Sequence, residues 1–201
     1  MQTIVIQKNR IERKVAFLIL FWGLASFLLG YFKVFTFIPR PIFGFVVIVI
    51  QASLVLAYLI NKNFKEYCNS IPLKSIALFH VWRIFAGWIF LSYSGVLSQT
   101  FIDNAAYGDI ISGFLGFSVF LFGHTKLNYY IFNILGLLDF VIAVGTGITL
   151  SIIGDPKMDS IVLLPLIMIP LFGVPLSGIT HFISLTRLLK IKTKKITDII
   201  E

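Results

Sequence analysis

Six stretches of this chain run for 18 residues or more with almost no charge, and they leave little length for anything else. A bilayer core of about 30 Å is crossed by a helix of ~20 apolar residues. The stretches are Val15–Phe32, Ile42–Ile60, Ser75–Leu97, Ala105–Phe122, Tyr129–Ile153 and Ser160–Leu189. Membrane β-strands would instead show alternating segments of roughly 10 residues. Backbone polar groups in hydrocarbon must be satisfied within the segment, which favours helices. The expectation is an all-α fold, a polytopic membrane bundle of about six transmembrane helices. Residues 1–201 read as a single integral-membrane helical-bundle domain.

The first stretch follows basic residues, as a signal peptide does, but it exceeds an h-region of about 7–15 residues and no small-x-small site follows. It reads as a retained span. The last stretch is ambiguous. Its 30 residues would form a straight helix of about 45 Å, and Pro165, Pro170 and Pro175 interrupt it. One kinked, tilted or partly broken helix is expected, with a re-entrant element as the alternative.

Direction follows from the basic residues. Thirteen of them lie on one side: Lys8, Arg10, Arg13, Lys14, Lys62, Lys65, Lys74, Lys126, Arg187, Lys190, Lys192, Lys194 and Lys195. The other side holds Lys33, Arg40 and Lys157 beside Asp103, Asp155 and Asp159. The positive-inside rule then places both termini in the cytoplasm. The tail after Leu189 reads as a frayed, interfacial helix end. The net charge of +8 belongs to these flanks, where it meets anionic lipid headgroups rather than nucleic acid.

Several chemistries have no support. The single cysteine, Cys68, forms no intrachain disulfide, has no metal-ligand spacing and reads as an inert thiol in a loop. No lysine lies in a span core, as a retinal Schiff base would need. No phosphate loop, paired-cysteine motif or zinc signature occurs. Ser177 and His181 are neighbours on one helix but lack the nucleophile-elbow context. No polar motif recurs between the two halves, so nothing supports an inverted repeat. No metal or cofactor is expected, and haem on His80 and His181 rests on two histidines alone.

What remains is a set of embedded polar residues. At 1.5 Å per residue, His80 lies about 8 Å and Arg83 about 12 Å below the cytoplasmic surface, Asn133 about 6 Å, Asp139 about 15 Å and His181 about 12 Å. A guanidinium at such depth costs ~3 to over ~10 kcal/mol and normally has a partner; Asp139 is the expected one. Phase agrees. His80, Arg83 and Gly87 share one face of span three, Asn133, Gly136 and Asp139 one of span five, and Ser177, Gly178 and His181 one of span six. Small residues there let backbones approach, so these faces point into the bundle. Asp109, about 6 Å from the outer surface, is a secondary candidate that also reads as an interfacial cap. An Arg–Asp pair can equally be a structural staple, and a lone histidine a satisfied core residue. Trp22, Trp82 and Trp88 read as core and lipid-facing bulk, and His124 as a solvated residue at a span end.

Four motifs carry a resemblance: H-x-W-R-I-x-A-G-W-I-F-L from His80, G-D-I-I-S-G from Gly108, N-I-L-G-L-L-D-F from Asn133 and L-P-L-x-x-I-P-L-F-x-V-P from Leu164. Over the last four spans, His80 to Leu189, the chain resembles a family of small, uncharacterised multi-pass membrane proteins of bacteria. The resemblance implies a polar signature of these same His, Arg, Asp and Asn residues in a bacterial cytoplasmic membrane. It implies no activity.

The leading functional expectation is a transporter or channel for a small solute or ion, with proton linkage as one form of it. His80, Arg83, Asn133, Asp139 and His181 would bind the ligand or proton. A membrane enzyme acting on a lipid-borne or quinone-like substrate, or a structural or partner-binding subunit, are the alternatives. A working site requires a polar pocket touching at least three of those five residues, open toward the cytoplasm or inner leaflet.

Overall fold

The computed structural model describes residues 2–190, with side chains from Arg10 onward, and contains eight α-helices and no strand among them. Of the basic residues counted for direction, the side chain of Lys8 and all of Lys192, Lys194 and Lys195 lie outside this range, as does the tail after Lys190. The helices are α1 Gln2–Tyr31, α2 Arg40–Ile60, α3 Lys62–Ser70, α4 Leu73–Phe79, α5 Trp82–Ser92, α6 Gln99–Phe122, α7 Lys126–Ile152 and α8 Val174–Lys190. Six spans are long and apolar enough to cross a membrane: Arg10–Tyr31, Arg40–Ile60, Leu73–Ser92, Gln99–Phe122, Lys126–Ile152 and Ile169–Lys190. The chain is an all-α membrane protein.

Span three is not one straight helix. α4 ends at Phe79, and the chain turns through His80 and Val81 before α5. Here the backbone bonds reach three residues rather than four: His80 N to Ala77 O, Val81 N to Leu78 O and Arg83 N to His80 O. Such a tightened turn inside a helix marks strain or a hinge. It packs on Gly113 and Gly116 of α6, whose missing side chains leave room for the carbonyls of His80 and Ala77.

The last stretch is partly broken, and its span begins at Ile169 rather than Ser160. After α7 the chain forms a 3₁₀ helix, Pro156–Val162, then turns, then one wide π turn, Ile169–Gly173, that runs into α8. Pro175 explains the wide turn. It has no N–H for the carbonyl of Leu171 and its ring crowds that carbonyl. The ladder shifts by one residue just before it, with Val174 N–H donating to Ile169 O.

Two apolar clusters fill the two halves of the bundle. The first gathers Phe43, Phe90 and Phe101 with Met158, Ile161 and Ile167, so the 156–168 segment is folded into the bundle end. Arg40 ties it down, donating from Nε to Asp159 (2.8 Å) and from Nη1 to the carbonyls of Phe35 (2.6 Å) and Ile38 (3.0 Å). The second cluster, at the end bearing α3, gathers Tyr58, Cys68, Leu73, Phe132 and Ile183. Between them lies a polar waist. Outward faces such as those of Phe17, Phe21, Phe85 and Trp88 are exposed apolar surface, as lipid contact requires.

Cys68 sits in helix α3, not in a loop. Asn61 caps that helix by accepting from Phe64 N–H (3.0 Å), and the helix turns Tyr67 and Cys68 inward while Lys62 and Glu66 are at its outer side. Burial pushes the Cys68 thiol up to about 12. At pH 8 the thiolate fraction is then lower than that of an ordinary cysteine by roughly a thousandfold. N-ethylmaleimide should leave the folded protein unlabelled and modify it fully after denaturation in SDS. Rapid labelling of the native protein would show α3 undocked.

Candidate functional site

The waist is built by four segments meeting at one level. Arg83, on the first turn of α5, is buried and faces two carboxylates. Its Nε donates to Asp109 Oδ1 of α6 at 2.7 Å, and its Nη2 donates to Asp139 Oδ2 of α7. Asp139 closes against the bare backbone of Gly108, where a Cβ would overlap its carboxylate. A guanidinium presents its donors as a planar fork, and here each edge takes one acid.

Asp109 is therefore not an interfacial cap, and Asp139 is not the sole partner. The cause is the start of the helix. α6 begins at Gln99, six residues before the apolar run, with Asp103 and Asn104 exposed on its first turns. Asp109 is ten residues into that helix, about 15 Å from its end, at the same level as Arg83.

Beside this cluster lies a second one. The rings of His80 and His181 meet with centroids 3.9 Å apart, and Phe132 closes on both at 5.1 and 5.0 Å. His181 Nδ1 bonds Asn133 Oδ1 at 2.9 Å, and His80 Nε2 bonds Thr180 Oγ1 at 3.0 Å. The structure thus brings the five predicted residues and Asp109 into one layer. Within it Arg83, Asp139, Asp109 and His181 line a cavity, and His80 and Asn133 do not.

That cavity has a volume of about 70 Å³. Its polar floor is Arg83, Asp109, Asp139, Ser177 and His181, and its walls include Phe43, Phe90, Phe101 and Phe140. It extends toward Met158 and Ile161, the end bearing Arg40 and Asp155. It does not extend toward the α3 end, where the opening was expected. The reason is packing, because Phe132, Ile179 and Ile183 fill the bundle on that side. The walls are also more apolar than a polar pocket implies.

Two contributors escaped the sequence reading, and a third, Gly136, was read only as a small residue of the inward face. Thr180 holds His80; it donates to the carbonyls of Leu176 and Ser177 and accepts from the ring. Trp82 is more than bulk, donating Nε1–H to Ser177 Oγ at 3.1 Å while its ring covers Gly173. Gly136 leaves room for the His181 ring, which a Cβ would overlap. The i−3 position of Ser177 relative to Thr180 was the only available signal for the first of these.

Fold and waist together define a helical integral-membrane protein with a buried arginine held between two carboxylates. The chain belongs to the family described as a domain of unknown function (DUF8737), whose model matches residues 40–189. The match takes in α2 through α8 and every residue of the waist, one span more than the motif resemblance covered, and leaves out α1. No curated protein and no solved structure matches the chain.

Proposed function

We propose that the protein is a proton-linked carrier of a small solute, residing in a bacterial cytoplasmic membrane, with the Arg83–Asp109–Asp139 cluster as its charge-exchanging element. The observation that carries this reading is one guanidinium bonded by two buried carboxylates between two apolar clusters. With both acids ionised the cluster has a formal charge of −1; with one proton taken up it is neutral. A unit change of charge in a low-dielectric waist is a strong lever on the conformation around it.

The backbone beside the cluster supports motion. The tightened turn at His80–Val81 and the π turn at Ile169–Gly173 both lie next to waist residues. Irregular backbone at membrane depth is tolerated where a cavity is lined. By the positive-inside rule the α3 end is the cytoplasmic one, and the packed Phe132 layer closes the path from the cavity to it.

An enzyme acting on a lipid-borne or quinone-like substrate is the second reading, favoured by the apolar walls of the cavity. Proteoliposomes loaded with a pH-sensitive dye separate the two. Under an imposed pH gradient with the potential clamped, the protein should pass protons when a transported solute is supplied. Asp139→Asn, which keeps the shape and removes the charge, should slow this about tenfold or more. Vesicles as tight as protein-free ones across a panel of small solutes would overturn the carrier reading.

A further inference from the structure

A buried polar atom with no partner marks a place that another molecule completes. Two such atoms belong to residues of the cavity wall, Arg83 Nη1 and His181 Nε2. Their chemistry is opposite. A guanidinium N–H can only donate. The sense of His181 follows from its neighbour: Asn133 donates its Nδ2 to Tyr129 O at 2.7 Å, so its Oδ1 is the acceptor that faces His181 Nδ1. Nδ1 then carries the hydrogen, and Nε2 of the neutral ring offers a lone pair. Gly136 gives Nε2 no partner, since it brings only bare backbone against the ring.

One group meets both needs, since a hydroxyl oxygen accepts one hydrogen bond while donating another. An ammonium could accept nothing from Arg83 Nη1. A carboxylate would enter between Asp109 and Asp139 and could donate nothing to His181. The apolar walls call for a hydrocarbon body. At about 70 Å³ the space corresponds to roughly two waters and is about half of a cavity that accepts benzene. From this we infer that the cavity binds a small neutral alcohol, or the hydroxyl end of a longer apolar molecule, through Arg83 Nη1 and His181 Nε2. The inference rests on the reading of the cavity as a solute site and names the class of solute.

Binding to the full-length protein in nanodiscs, followed by saturation-transfer NMR, tests it with three probes of equal carbon number that match the space: ethanol, ethylammonium and acetate. Ethanol should bind saturably, and the two ions at least about tenfold more weakly, because each leaves a buried group unpaired. His181→Leu removes the acceptor and Ala143→Phe fills the cavity from α7; each should weaken ethanol about tenfold or more. Either ion binding as tightly as the alcohol overturns the inference. So does an alcohol signal that never saturates and is unchanged in both variants, the mark of bilayer partitioning alone. The probe comparison on the unaltered protein stands even if a variant fails to fold. Saturable alcohol binding without proton flux would refute the carrier reading alone, whereas flux with some other solute and no alcohol binding would refute only the ligand class.

Discussion

Arg83→Leu is expected to destabilise the protein by about 3–5 kcal/mol, because it strands buried carboxylates that pair with no other cation among the described residues. The compensating changes report the wiring. Adding Asp139→Leu should recover only part of the loss, since Asp109 remains buried and loses its 2.7 Å bond to Nε. Adding both Asp109→Leu and Asp139→Leu should recover most of it, as apolar replacements of buried ionic groups often do. Unfolding in detergent by SDS or heat measures all three. Full recovery in the double variant would remove Asp109 from the cluster and return the waist to a simple pair.

The second large effect is expected at Gly113, where α5 and α6 meet. A Cβ there would lie 2.9 Å from the backbone nitrogen of Ile84, and at Gly116 one would lie 2.7 Å from the carbonyl of Ala77. Backbone atoms cannot swing aside as a side chain does. Gly113→Leu should therefore push the helices apart and cost about 3 kcal/mol or more, displacing Arg83 from Asp109 in the process. Gly145→Leu is the control. Nothing lies within 4 Å of a Cβ at that position of α7, so its effect should stay within about 0.5 kcal/mol. Equal unfolding midpoints for the two variants would mean that the α5–α6 approach is not as close as described.

How the chain reads without its tertiary structure depends on the range of the interaction that sets each feature. The six spans are set by apolar run length against bilayer thickness, a property local to each run, and all six are found. The prolines of the last stretch act on their own backbone, so a partly broken final span was legible too. Depth counting and helical phase are also local, and they brought His80, Arg83, Asn133, Asp139 and His181 to one level as the structure does.

The rest was decided between helices. Leu73 to Ser92 contains no proline, and nothing in it announces the turn at His80–Val81; that turn is seated on Gly113 and Gly116 of another helix. Asp109 was misplaced because α6 continues past its apolar run through Gln99, Asp103 and Asn104, which a hydropathy window discards. The position of the cavity depends on the 156–168 segment and Phe132 filling opposite ends of the bundle, and the contact of His80 with His181 depends on how Asn133 and Thr180 hold the rings. Hydropathy and periodicity thus determine which segments cross and which faces turn inward, because each helix satisfies its own backbone in lipid. Which acid meets which edge of Arg83, and where the cavity lies, are settled only by packing, because those choices differ by contacts between residues tens of positions apart.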